Sequence, residues 1–362
     1  MNTPRENGLF MPAEWAPHAG TWMIWPERTD NWRLGAKPAQ NAFAEVASTI
    51  SRFEPVTMMV SAKQFANARQ KLPAAVRVVE VSTNDSWCRD TGASFLLNHE
   101  GKLAGTDWIF NAWGGLQRGL YFPWDLDDAV AAKMLEIERA PRYRAPLTTE
   151  GGAIHVDGEG TVLTTEACLL TTDRNPGMAR ADAEQRLQDY LGATKTIWLG
   201  EGVPGDETGG HIDNLACFIR PGTILLTWTD DSGEPLYQVC RDAAARLETA
   251  RDAQGRGIKI EKIPMPTPMF FTEEEESGID AGTTGMVRRA GERLAASYVN
   301  FYIANGAIIA PCFGVPTDEP AQRILQSNFP DREIIMLPAR EILLGGGNIH
   351  CITQQQPQSA KT

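Results

Sequence analysis

The sequence predicts an α/β protein assembled from a repeated unit. Three observations predict it. Four strand pairs flank short polar or glycine-containing turns, five helical patterns alternate with strand pairs, and Asp90, Glu150 and His211 stand at the entrances of successive pairs, 60 and 61 residues apart.

The strand pairs come first. In 93–107, ASFLLN and KLAGTD flank His99-Glu100-Gly101, and in 151–170, GGAIHV and TVLTTEACLL flank Asp157-Gly158-Glu159-Gly160. In 215–228, LACFI and TILLTW flank Pro221-Gly222, and in 297–313, SYVNFYI and AIIAPCF flank Asn305-Gly306, the strongest two-residue turn signal of the four. The helical patterns follow. Phe43, Val46, Ala47 and Ile50 recur at helical spacing. Asp125–Glu138 is the second pattern, and Ala179–Leu191 the third, with Gly192 placed to end it. Leu236, Val239, Cys240, Ala243 and Leu247 mark the fourth, and Glu319-Pro320 opens the fifth with proline in the first turn. Five units in 362 residues give about 72 residues each, within the range of repeat architectures. Closed in a ring, such units would bring Asp90, Glu150, His211 and Cys351 to a common axis.

No linker or low-complexity segment divides the chain, so 1–362 reads as a single domain with a frayed polar tail over 355–362. The acidic run Glu273–Glu276 reads as a solvated loop. Hydrophobic content of 42% and charged content of 22% are those of a soluble globular protein. The net charge of −12, without a Lys/Arg cluster, argues against nucleic acid as a partner. It favours encounter with small cations, or serves solubility alone. The N-terminus lacks signal-peptide features, and no apolar run reaches the roughly 18 residues that span a membrane. Six cysteines without a CxxC pair give no zinc-site spacing. A cytoplasmic protein with free thiols and no membrane partner is the reading.

Cys351 is the candidate nucleophile. It follows Gly345-Gly346-Gly347 and precedes a polar stretch, whereas Cys168, Cys217, Cys240 and Cys312 lie in apolar strand or helix patterns and read as core. A free thiol has a pKa of about 8.5 and needs activation. Of five histidines, His211 has the best setting, in Thr208-Gly209-Gly210-His211-Ile212-Asp213. In an extended strand His211 and Asp213 would share a face. His350 would point away from Cys351 and reads as a packing or hydrogen-bonding residue. Asp90, Glu150 and Asp213 complete the set. One acid would orient the histidine, while two others would grip a planar guanidinium, whose donors match carboxylates in a fork. A metal ion is the rival cation, made less attractive by a single well-placed histidine beside a cysteine.

At these residues the sequence resembles the agmatine deiminases, of the guanidine-modifying superfamily that includes arginine and peptidyl-arginine deiminases. The resemblance runs through Trp22–Arg28, Asp30–Arg33, Gly35–Gln40, Trp87–Gly92, Asn111–Gly115, Glu150–Gly152, Thr208–Asn214 and Gly345–Thr353. Ala93 departs from it, since proline often follows the Thr-Gly there. The resemblance implies a five-bladed, pseudo-symmetric α/β propeller of the pentein type. It implies Cys351 as nucleophile, His211 as acid/base, Glu150 as its partner, and Asp90 and Asp213 as guanidinium ligands. It adds Glu207 as a substrate ligand toward the amine end. Trp87 is then a pocket wall, although its size equally suits the core.

The implied reaction hydrolyses agmatine to N-carbamoylputrescine and ammonia through a covalent thiouronium, with no cofactor and no metal. A homo-oligomer, dimer or tetramer, is suggested by the resemblance and by the prevalence of symmetric assemblies. One alternative is a deiminase or amidinotransferase for arginine or another small guanidine; an arginine enzyme needs a cationic site for the α-carboxylate, with Arg33 and Arg89 as candidates. Another is a non-catalytic sensor of agmatine or polyamines, which would not need the nucleophile.

Overall fold

The computed structural model describes residues 2–282 and 285–360. Its strands form five separate sheets, and a common plan runs through them. In the fullest copies a first strand pairs antiparallel with a second, a helix crosses over, and a third strand pairs parallel with the second. The fourth sheet runs Ala216–Arg220, Thr223–Trp228 and Lys259–Pro264, with helix Leu236–Thr249 as crossover. The fifth runs Tyr302–Ala304, Ala307–Cys312 and Glu333–Pro338, with helix Asp318–Asn328. The third has His155–Val156, Thr161–Thr165 and Lys195–Leu199, crossed by Arg180–Leu191. The second repeats the plan with Ser94–Asn98, Leu103–Ile109 and Arg142–Thr148, and adds Leu9–Phe10 at its edge. The remaining sheet draws on both ends of the chain. Thr353–Pro357 pairs antiparallel with His18–Ile24, which continues through helix Lys37–Ile50 to Val56–Val60 and then to Arg77–Glu80.

The middle strands are buried along almost their whole length, as a strand covered on both faces requires. Helix spacing accounts for the rest of the core. Phe43, Val46, Ala47 and Ile50 are almost wholly buried against Met58 and Val60, and Leu236, Cys240, Ala243 and Leu247 against Leu199 and Ile224. Each large side chain so buried stabilises the fold by about 1.5–3 kcal/mol. Among the described residues, no helix is long and apolar enough to cross a membrane.

Four local expectations are corrected. Residues 125–138 form two helices, Asp125–Asp128 and Val130–Ile137. The first turn is tied elsewhere, since Asp127 accepts the Asn84 and Asp85 N–H groups while the Asn84 side chain accepts those of Leu126 and Asp127. The acidic run is a helix, Glu273–Ser277, with a Thr272–Glu275 capping box. Glu275 is buried and held by Arg340 rather than solvated. The tail is not frayed from 355, because Gln355, Gln356 and Pro357 lie buried in the last strand, and Gln356 accepts from the Trp22 indole at 2.7 Å. Of that tail, residues 361–362 fall outside the described residues. Finally, His211 and Asp213 are not strand residues. His211 caps a four-residue helical turn, Ile212–Leu215, and Asp213 lies within it.

Candidate active site

Each first strand is preceded by a short turn, and the chemistry-bearing residues sit on those turns. Asp90 lies in Cys88–Thr91, Glu150 leads into Gly151–Ala153, His211 and Asp213 belong to the turn before Ala216, Asn300 precedes Tyr302, and Cys351 precedes Thr353. Such turns redirect the chain sharply, so their side chains reach sideways toward the neighbouring units. The five residues selected from sequence therefore meet, and Gly152 shows how closely. A Cβ there would lie 2.6 Å from His211 Nδ1, 2.8 Å from Asp90 Oδ1 and 2.9 Å from Asp213 Oδ2. Only glycine fits between the three groups.

His211 Nε2 donates to Glu150 at 3.1 Å, and Nδ1 stands 3.9 Å from Asp90 Oδ1. Asp90 accepts from the Gly152 N–H and the Trp113 indole, both at 3.0 Å. The Cys351 sulfur is 3.6 Å from Asp213 Oδ2. Within this cluster two buried polar atoms have no hydrogen-bond partner among the described residues: His211 Nδ1 and Asp213 Oδ1. A buried acceptor left empty costs about 1–3 kcal/mol, which marks the place for a ligand donor.

Charge is distributed unevenly over this cluster. Burial raises Asp90 to about 6, opposed by His211 and reinforced by Asp213 and Glu150. Burial would raise Glu150 as well, but the Arg174 guanidinium and His211 hold it at about 2. His211 is raised well above an ordinary histidine although burial opposes this, because Asp90, Cys168 and Glu150 favour its cation. Burial pushes the Cys351 thiol well up, and Asp213 and Asp90 push it further. The site without substrate thus holds a protonated cysteine facing carboxylates, a setting that an organic cation would reverse.

The cavity above this cluster encloses about 450 Å³ counting its open mouth, and Cys351, Asp90, Trp87, Trp113, Glu207 and Arg288 are among its lining residues. Glu150, His211 and Asp213 are not among them but adjoin that lining, Asp213 Oδ2 3.6 Å from the Cys351 sulfur and His211 Nδ1 3.9 Å from Asp90. Trp87 is both wall and core, since it is buried against Trp32 and its indole donates to Asp85. A Cβ on Gly347 would come within 2.6 Å of Trp87 and 3.1 Å of the Cys351 sulfur, so that glycine keeps the slot open. Glu207 lines the cavity with both oxygens on the Arg288 fork, at 2.9 and 2.6 Å. Neither Arg33 nor Arg89 lines the cavity. Arg33 pairs with Glu341 and Arg89 with Glu14.

Sequence reading missed several members. Glu14 accepts from Arg89 and from His350 Nε2, while His350 Nδ1 donates to Asp213 Oδ2 at 2.9 Å. With a carboxylate on each ring nitrogen, His350 is a buried cation, its pKa raised although burial and Arg89 oppose this. It bonds toward the site rather than pointing away. Arg174 clamps Glu150 at 2.8 Å. Cys168 is no plain core thiol, since it sits 3.9 Å from Glu150 in the turn Glu166–Leu169, capped by Thr165. The sequence signal was there, in a Thr three residues ahead of it at the strand end. Asn300 touches the Cys351 sulfur.

Among the described residues, two clusters have metal-like spacing, Glu14-His155-His350 and Glu150-Cys168-His211. Their donors are committed to hydrogen bonds. His155 Nδ1 accepts the Phe218 N–H, which leaves Nε2 protonated toward Glu14, and Glu150 is already neutralised by Arg174.

Comparison with known proteins agrees over the whole chain. The family model described as Porphyromonas-type peptidyl-arginine deiminase matches residues 10–357. The agmatine deiminase of Pseudomonas syringae pv. tomato is 56% identical, covering 99% of this chain and 98% of its own. That of Pseudomonas putida is 54% identical, covering 99% and 98%. A solved structure of Enterococcus faecalis agmatine deiminase, described as catalyzing its reaction, shares 47% identity at a TM-score of 0.97, covering 99% of each chain. A variant agmatine deiminase of C. jejuni with substrate bound shares 27% at 0.83, covering 98% and 97%.

Proposed function

Because the chain belongs to the Porphyromonas-type peptidyl-arginine deiminase family, we propose that it hydrolyses agmatine to N-carbamoylputrescine and ammonia, with Cys351 as nucleophile. The observation that carries this is a deeply buried thiol set 3.6 Å from Asp213 Oδ2, on a carboxylate whose other oxygen, Oδ1, is buried with no partner among the described residues. A guanidinium supplies what both lack. Its fork donates to Asp213 and Asp90, and its positive charge lowers the thiol so that the proton leaves for solvent.

The Cys351 thiolate then attacks the central carbon, forming the C–S bond and a tetrahedral adduct. The His211 cation, held by Glu150, gives its proton to one amino nitrogen, the C–N bond breaks, and ammonia leaves. The remaining thiouronium is attacked by water as neutral His211 takes a proton from it. Collapse of the second adduct breaks the C–S bond, frees the urea product and the thiolate, and passes the surplus proton to ammonia. Splitting hydrolysis in two is ordinary covalent catalysis, and a positioned base contributes about 10²–10⁴-fold. The scheme uses no metal and no cofactor.

The wall chemistry favours agmatine over arginine. Both arginines lining the cavity are matched by acids, Arg28 by Asp30 and Arg288 by Glu207, so an α-carboxylate would meet compensated charge. Glu207 has lone pairs beyond those used by Arg288 and receives the distal ammonium.

The whole chain serves as one catalytic domain, its five sheets the blades of an α/β propeller around the site. The repeated strand plan and the joining of 353–357 to 18–24 support that arrangement. The test is ammonia release from agmatine and from arginine with chelator present, for the wild type and Cys351→Ser. Release from agmatine alone, abolished in the variant, is expected. Equal turnover in the variant excludes the covalent route.

A further inference from the structure

Asn300 is wholly buried, and every polar atom of its side chain is engaged. Its Oδ1 accepts the backbone N–H groups of His350 at 2.9 Å and Cys351 at 3.3 Å. Only an oxygen can accept from two N–H donors, so these bonds fix which end of the amide is which. The nitrogen must then face the other way. Nδ2 lies 3.1 Å from the Cys351 sulfur, 3.1 Å from Asn214 Oδ1 and 3.3 Å from the Asp213 carbonyl.

We propose that Asn300 is a catalytic residue, its Nδ2–H donating to the Cys351 sulfur and stabilising the thiolate. This rests on Cys351 being the nucleophile. The reasoning is one of competing acceptors. Two N–H bonds serve three acceptors. While the sulfur is a thiol it is the weakest of them, and its own S–H reaches Asn300 Oδ1 at 3.4 Å. Once deprotonated it becomes the strongest, and hydrogen bonds to an ionised acceptor are about twice as strong as neutral ones. The amide therefore favours the charged form without moving. It does so where the flanking carboxylates disfavour that form, and Asn300 does lower the thiol pKa against them. The same side chain holds the turn carrying Cys351 and abuts the one carrying Asp213, so nucleophile and clamp share one rigid support.

The test is the rate of Cys351 alkylation by iodoacetamide, a neutral probe that needs no substrate recognition. It is followed from pH 7 to 11 on the full chain and located by peptide mass spectrometry. Asn300→Asp keeps an oxygen for the two backbone N–H groups and, when ionised, removes the donor. A fall on the order of tenfold at pH 9 is expected, with the profile displaced to higher pH. The added carboxylate of Asn300→Asp displaces the profile by its charge as well, so the neutral Asn300→Ala is measured beside it. A purely structural clamp predicts no displacement there, and an Asn300→Ala profile that overlays the wild type overturns the proposal. Should Asn300→Ala fold poorly, an Asn300→Asp profile that overlays the wild type overturns it equally. Ammonia release by Cys351→Ser would instead remove the nucleophile, and this role with it, and is read separately from the alkylation.

Discussion

Replacing Glu150 by glutamine preserves shape and deletes one buried charge. Both Glu150 and Arg174 have side chains no more than 2% exposed, so the arginine is left as an uncompensated buried cation. Breaking a buried pair from one side costs about 3–5 kcal/mol. The lowering of the Glu150 pKa gives a similar figure. A fall of the Glu150 pKa from 4.5 to about 2 corresponds to about 3 kcal/mol. Because the folded value is depressed, that stability is fully present above pH 4.5 and is lost as pH falls toward 2. At neutral pH the variant should therefore melt roughly 4–7 °C lower for a chain of this length. Adding Arg174→Met should recover part of the loss by removing the orphaned charge. Activity should fall by about 10²-fold or more. The alkaline limb of kcat should move to lower pH, since His211 loses a partner that favours its cation. Melting curves and pH–rate profiles measure both effects. Wild-type stability together with an unmoved alkaline limb would refute the assignment of Glu150 as the partner of His211.

Asp213→Asn should lower kcat/KM for agmatine by about 10–150-fold, the worth of a charged hydrogen bond, with KM carrying much of the loss. Unchanged steady-state constants would remove Asp213 from the clamp. Gly152→Ala should fold yet lose at least about a hundredfold in kcat, because its Cβ must displace His211, Asp90 or Asp213. Near-normal turnover would show that the three groups tolerate separation. Glu14→Gln should bring the His350 pKa back toward its ordinary value. His350 is raised, so its stabilisation is present below its unfolded pKa and fades as pH rises through the folded one. Denaturation between pH 6 and 9 should show that fading begin earlier in the variant, and superimposable stability curves would sink the idea.

The repeat and the reactive residues were legible because both leave local marks. Glycines beside Glu150, His211 and Cys351 reflect how closely their backbones approach one another, a requirement written into adjacent positions. The supporting residues leave no such mark. Glu14 meets His350 across 336 positions, and Asn300 meets Cys351 across 51, each contact made by one side chain in an unremarkable local context. The four-residue turns were misread as strand for a related reason. Ile212–Leu215 is shorter than any window in which a 3.6-residue period can be detected. Tertiary demand, not local propensity, bends the chain there. The capping box before Glu273 was different, since Thr272 and Glu275 carried a readable signal that the charge of the run obscured.

The joining of residues 353–357 to 18–24 sets a schedule for the life of the molecule. The strand behind Cys351 must find a partner made more than three hundred residues earlier, a slow kind of contact to form, and the turn that holds Cys351 depends on it. Proteolytic trimming behind Cys351 would silence the enzyme without touching a reactive atom.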